Sequence, residues 1–262
     1  MVISEAAVAT IATIGLQYLW YKKFPHSRFH FFNDNREWLG MDKLGHATTV
    51  YNISALQYNL MRWSGVNNQA AILIGGLTGL GYLAMIEIMD GFSSQWGFSP
   101  GDMAANIFGG ALFMAQQYGW NEQRIQMRFS FHYSIYAKYN PDLLGRNFPQ
   151  RLLKDYNGQS YWFSFNVSSF LKRNTNFPKW INADFGIGAD GMTGAINNPD
   201  SVGGKSIPQF IRQRKLLFGL DGAFTKKNQV CFPSWINLLR IPTPALDWKT
   251  RTNEWKLHLL YY

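Results

Sequence analysis

The hydrophobic period of this chain changes between residues 119 and 126, and that change limits the fold more than any other feature. Upstream, apolar residues recur at helical spacing. Downstream they alternate: in "MRFSFHYSIYAKY", Met127, Phe129, Phe131, Tyr133, Ile135, Ala137 and Tyr139 are interleaved with mostly polar residues, the pattern of a strand with one apolar face. The chain is therefore read as α+β, with a helical part over residues 1–120 and a basic, aromatic, β-rich part over residues 121–262.

Helices are expected over residues 3–22, 41–63, 68–89 and 100–118, a four-helix bundle punctuated by Pro25 and Gly65. An aromatic loop, "FPHSRFHFFNDNREWLG", joins the first two. The third holds seventeen uncharged residues, 70–86, and a Gly75-x-x-x-Gly79 pattern that suits close helix packing in a bilayer or in a tight soluble bundle. Residues 6–20 are apolar but short for a span, and Glu5 stands where a signal peptide carries Lys or Arg. That segment is expected to be an anchor helix, a docked helix, or a start that lies downstream of a leader.

In the second part the further strand-like runs are "SYWFSFNVSSF", "WINADFGIGA", "RKLLFGLDGAF" and "EWKLHLLYY", about five strands in all, with short helices at 149–156 and in "PSWINLLRIP". Five strands cannot close the smallest familiar membrane barrel, which has eight. They are expected to form an open or partly closed antiparallel sheet on the helices, or one completed by another chain. The run "GIGADG" at 186–191 has G-x-G-x-x-G spacing, but no helix follows it and no βαβ unit surrounds it, so it reads as a turn leaving a strand.

Charged residues are 16% of the chain, well below the usual quarter, so a membrane or a partner is expected to cover part of the surface. A mean hydropathy of −0.19 is too low for a bundle of lipid-immersed helices. Residues 1–125 carry 7 Lys+Arg against 8 Asp+Glu, while residues 126–262 carry 18 against 8, so the formal charge of +9 resides in the second part. A basic half suits anionic envelope surfaces. Its cations are scattered among aromatics rather than clustered, and no nucleic-acid module is present, so no nucleic-acid partner is expected. The one cysteine, Cys231, excludes an intrachain disulfide and a Cys-based zinc site.

Three short motifs carry the chemistry. In "MDKLGHATTVYN", Asp42 and His46 are four residues apart on one helix face, with Lys43 beside them. A carboxylate there can orient the imidazole as a general base, or both can ligate a metal; a first-turn Asp at the helix dipole is the plainer alternative. In "AMIEIMDGF", Glu87 and Asp90 share a side at the end of the uncharged run, a costly place for charge without a partner unless the helix ends in water. In "FSPGDMAANIFGG", Ser99 suits an N-cap, Pro100 the first helical position and Asp102 a capping box. Asp102, Asn106 and Gly109/Gly110 then make a polar and small stripe that a cap alone does not require. One convergent site explains all three motifs. Four carboxylates outweigh Lys43, so Asp42, His46, Glu87, Asp90 and Asp102 are the candidate ligands of a divalent cation, with acid–base work on a polar head group as the other use.

The order Asp-Lys-x-x-His, Glu-x-x-Asp, then Trp-x-x-Ser-x-x-Asp-x-x-x-Asn-x-x-Gly is met at Asp42, Lys43 and His46; at Glu87 and Asp90; and at Trp96, Ser99, Asp102, Asn106 and Gly109. It resembles the YfiM-like family of periplasmic proteins and, more distantly, the VanZ-like helical family, over residues 36–117. In that family the chain is similar to the long form of Bacteroidota, where a basic, strand-like region follows with a "LLKDYNGQSYW"-type segment. The resemblance implies an envelope location and a VanZ-like four-helix core. It leaves three readings. The first is a membrane-associated structural or assembly component at the periplasmic face of the outer membrane, partnered by lipid or by an envelope protein complex. The second is a hydrolase or transferase acting on an envelope lipid or glycan, with His46 as base, Asp42 orienting it and Glu87, Asp90 and Asp102 holding a cation. The third is a scaffold whose acids only cap and pair across helices.

Overall fold

The computed structural model describes residues 25–171, 176–222 and 238–262. The expected helix at 3–22, Cys231 and the first half of "PSWINLLRIP", 233–237, lie outside these residues.

Three long helices follow a turn of 3-10 helix, Glu37–Gly40: α1 (Met41–Trp63), α2 (Asn68–Gly91) and α3 (Pro100–Trp120). Each begins as its sequence dictates. Gly40 takes φ +74° to enter α1, a conformation that only glycine adopts without cost. The Asn67 side chain accepts from the Ala70 amide to cap α2. Ser99 caps α3 by accepting from the Asp102 amide, with Pro100 in the first turn. Among the described residues, then, the bundle has three long helices rather than four. α2 is also long and apolar enough to cross a membrane.

The three helices pack pairwise. Gly75 and Gly79 on α2 lie against the α1 backbone at Ser54 and Val50, and Gly109 on α3 lies against the backbone at Ala47. Glycine at these points lets two backbones approach within a distance that any side chain would block. Ala47, Tyr51, Ile72 and Phe113 fill the space between, together with Met127 from the sheet.

The sheet has six strands, all antiparallel: β1 (Ile125–Phe131), β2 (Gln159–Asn166), β3 (Ile181–Asp190), β6 (Gln213–Gly222), β7 (Thr243–Lys249) and β8 (Glu254–Tyr261), in the spatial order β1-β2-β3-β6-β7-β8. The tiny hairpin β4 (Ser201–Val202) and β5 (Lys205–Ser206) stands apart, turned by Gly203 and Gly204 at positive φ. A short helix α4, Phe148–Lys154, precedes β2. "GIGADG" is mostly strand rather than the expected turn: residues 186–190 are the paired end of β3, and only Gly191 turns the chain, at φ +78°.

Two strand expectations need correction. The alternation through Tyr139 is strand only to Phe131, because Ser134 accepts the Tyr136 amide and Tyr136–Lys138 coils into a 3-10 turn. The sheet also has a sixth strand, β7, that the reading of about five missed. Its Pro244 argues against a strand, but it falls at a register irregularity between Thr243 and Ala245, a place where proline is tolerated.

One sheet face meets the helices. Met127 joins the core under α1 and α3, while Tyr161 and Ala189 pack with Met41 and Met192. Helix and sheet are also tied by polar bonds: Tyr51 donates to the Ile125 carbonyl and Asn52 to the Met127 carbonyl.

Candidate functional site

The first turns of α1 and α3, the last turns of α2 and the aromatic loop before α1 bring most of the sequence candidates together. Lys43 is at the centre. Its ammonium is 2.5 Å from Asp34, 2.9 Å from Asp42 and 2.9 Å from Asp102. Three acid side chains surround Lys43, and its pKa rises although burial opposes this, because Asp42, Asp34 and Asp102 all favour the charged form.

Asp34 is the member that sequence reasoning missed. It lies in the loop, not on a helix, and has no periodic signal; the only hint is the polar run Asn33-Asp34-Asn35 amid aromatics. Ser99 links it to the α3 cap, since the same hydroxyl that accepts from the Asp102 amide at 3.1 Å donates to Asp34 at 2.6 Å. Asp34 and Asp102 act as a pair. Burial raises both, but hydrogen bonds from Asp102, Lys43 and Ser99 keep Asp34 below the usual carboxylate range. Asp102 is pushed up to about 8 by burial, by its bond to Asp34 and by the Asp42 charge. Near neutral pH Asp102 therefore carries the proton and Asp34 the charge.

His46 lies one turn further along α1, and its partner is not Asp42. Asp42 turns to Lys43, and the His46 Nδ1 meets the Asn106 Oδ1 at 3.1 Å and the Glu87 Oε1 at 3.5 Å. Because Asn106 offers a carbonyl, the proton is assigned to Nδ1 and the lone pair to Nε2, which faces Asp102 at 3.9 Å. Burial depresses the imidazole pKa to about 4, so the ring is neutral. Glu87 is buried and its pKa is pushed up to about 8, by burial first and then by Asp90 and Asp34. Its Oε2 accepts from the Ser99 amide at 3.2 Å, while Oε1 has no hydrogen-bond partner. Asn106 is buried with its amide nitrogen unpartnered.

The remaining candidates sit at the margin. Asp90 is half-buried near the end of α2 and acts on Glu87 through its charge. Trp96 is half-buried in the loop between α2 and α3. Pro100 opens α3 and, with Phe31, Phe32, Asn33 and Asn35, lines a cleft of about 280 Å³; none of the clustered acids lines it. Gly109 serves the α1–α3 contact already described.

Among the described residues two sets of side chains have the spacing to hold a cation: Asp34, Asp42 and Asp102; and His46, Glu87 and Asp102. The first already surrounds the Lys43 ammonium. The second offers one imidazole nitrogen and two carboxylate oxygens within 4.8 Å of one another, a mixed N/O donor set of the kind first-row divalent metals take. Protons on Glu87 and Asp102 stand where such an ion would have to displace them.

Residues 30–117 match the model of a family described as predicted periplasmic lipoprotein (DUF2279). The matched segment runs from the aromatic loop through α1, α2 and most of α3, and so contains every residue of the cluster. No curated protein and no solved structure matches the chain.

Proposed function

We propose that the chain is a membrane-associated protein of the bacterial envelope, with a structural or assembly role at the periplasmic face of the outer membrane, and that its polar centre locks three helices and a loop together. The observation that carries the reading is Lys43. An ammonium held by Asp34 from the loop, Asp42 on α1 and Asp102 on α3 ties those elements to one another. A His46 that stays neutral down to about pH 4 is a weak base at neutral pH. The matched family supports the envelope location. The YfiM-like and VanZ-like kinship and the Bacteroidota long form belong to this same reading.

The test is stability. Replacing Lys43 by Met leaves buried carboxylates uncompensated, and the expected loss of unfolding free energy is about 3–5 kcal/mol. Denaturant titration of the purified protein reads it; a Lys43→Met variant as stable as the parent would sink the lock. Fractionation of cells making the tagged chain reads the location, and recovery with the cytosol would sink that.

A second reading keeps a hydrolase or transferase acting on an envelope lipid or glycan. What favours it is the unpartnered Glu87 oxygen facing His46 and Asp102, a donor set open to a divalent cation. Titration with Mn²⁺ or Zn²⁺ decides it: one ion bound per chain, lost in His46→Ala and Glu87→Gln, moves the assignment to this reading.

A further inference from the structure

The sheet is apolar on its outer face as well as within. Its inner face is buried and mixed: Arg128 pairs with Asp221, and Arg240 pairs with Asp184 at 3.1 Å while its guanidinium lies 4.0 Å over the Trp162 ring, around an apolar cluster of Trp162, Leu217, Ala245 and Tyr261. Its outer face is apolar. Over β1, β2 and the end of β3 at Ile187 and Ala189 the helical part packs on that face; over β6–β8 it is bare among the described residues. Leu220 is 61% exposed, Trp255 56%, Leu257 65% and Leu259 76%. A soluble sheet buries the apolar side, whereas a lipid-facing one shows it.

The bare face is ordered along the strands. Register places Leu216, Trp248 and Trp255 in one row, and Phe218, Leu246 and Leu257 in the next. Leu220 and Leu259 extend it further. Trp248 and Trp255 stack with centroids 5.4 Å apart, beside the turn that carries Arg251 and beside exposed Arg214. Indoles and cations thus gather at one end, and only aliphatic and phenyl groups lie beyond. From Trp255 to Leu259 is four residues, about 13 Å of strand. That is close to half of the roughly 30 Å hydrocarbon thickness of a bilayer.

We propose that the outer face of β6–β8 is seated in one leaflet of a lipid bilayer, with Trp248 and Trp255 at the head groups and Leu259 deepest. Two observations favour lipid over a protein partner. Protein interfaces carry about one hydrogen bond per 100–200 Å², whereas among the described residues this face offers no polar side-chain group beyond the indoles and Arg214 at their end. Among the described residues its outward charge is Arg214, at the Trp end, where Nε donates to the Leu39 carbonyl and the rest of the exposed guanidinium would meet anionic phosphates. The proposal names the partner within the envelope reading and rests on it only for access to a membrane.

The experiment uses the full chain, purified in detergent and diluted into vesicles of phosphatidylethanolamine and phosphatidylglycerol, then floated through sucrose. Wild type is expected to float, and the Leu257→Glu/Leu259→Glu double variant to partition at least tenfold less while keeping the parent's circular dichroism. A Lys205→Glu change on the distant β4–β5 hairpin is expected to float like wild type. Brominated acyl chains should quench Trp fluorescence in wild type more than in Trp255→Phe. A wild-type chain that stays at the bottom overturns the proposal. So does a lipid-independent dimer that the double variant converts to monomer, since a second copy along the β8 edge would then be the occupant. Recovery with the envelope in cells but no flotation would sink this surface and leave the location; flotation with recovery in the cytosol would do the reverse.

Discussion

At Glu87 two costs compete. An ionised carboxylate here would lack water and would face only a weak donor set, so it keeps its proton instead and its pKa rises to about 8. Asp102 does the same at about 8, and His46 stays neutral down to about 4. The consequence for stability has a definite sign. An acid whose folded pKa is raised makes the native state bind more protons than the unfolded chain between its two pKa values, so stability falls as pH rises through that window. A depressed His does the opposite between about 4 and its unfolded value of 6.5. Above pH 6.5 only the acids still act, so unfolding free energy is expected to fall between pH 6.5 and 8, by an order of 1–2 kcal/mol for each acid. Glu87→Gln should flatten that fall, and denaturant midpoints measured at half-unit steps would show it. An unchanged slope would mean that Glu87 is ionised in the fold. Much of this site was legible in the sequence, because helical spacing places Asp42, Lys43 and His46 on one side of α1 and Asp102 with Asn106 on one stripe of α3. Asp34 was not, since a loop residue has no period to betray it. Nor was the pairing of Asp42 with Lys43 instead of His46, because a shared helix face allows either.

At the level of elements, the three long helices among the described residues were legible to within two residues because their breakers are strong: Gly40, Asn67, and Ser99 with Pro100. Strands were harder. A proline at a register irregularity hid β7, and a serine capturing an amide ended β1 early. The glycine stripes were ambiguous in sequence between bilayer packing and a tight soluble bundle, and the structure gives each glycine a specific neighbour. A Cβ on Gly109 would fall well inside contact distance of the Ala47 carbonyl, which is backbone and cannot swing away. Gly81, by contrast, would meet nothing. Gly109→Ala is therefore expected to cost about 1–3 kcal/mol through displacement of α3 from α1, offset only in part by the better helix propensity of Ala, whereas Gly81→Ala should be stabilising by about 0.5–1 kcal/mol. Thermal unfolding of the two variants side by side tests the pair. Equal effects would mean that α1 and α3 are not packed at Ala47.

For the whole molecule the question is why the interior of the sheet carries ion pairs. Arg240 gathers four elements: it donates to Asp184 on β3, to Thr243 at the start of β7 and to the Tyr261 carbonyl on β8, and it covers Trp162 on β2. These bonds do not make the pair strongly stabilising. The Asp184 pKa is pushed up to about 6 by burial and by Asp221, in spite of the Arg240 and Arg128 charges, so desolvation outweighs attraction. A buried pair of that kind selects one arrangement of strands more than it adds free energy. If the outer face is given to lipid, the inner face has only the small apolar cluster of Trp162, Leu217, Ala245 and Tyr261 to define register, and directional bonds supplement it. The expected result is asymmetric. Arg240→Met alone or Asp184→Leu alone should cost about 3–5 kcal/mol, because each leaves a charge buried without its partner. The double variant should lose clearly less than the sum of the two, and less than either single change if the apolar replacements pack. A double-mutant cycle by denaturant unfolding reads the coupling, with hydrogen exchange of the strand amides alongside. Additive losses would mean that the pair contributes as two independent groups. Strand amides that exchange much faster in a double variant of near-parental stability would show the pair setting register rather than depth of the free-energy minimum.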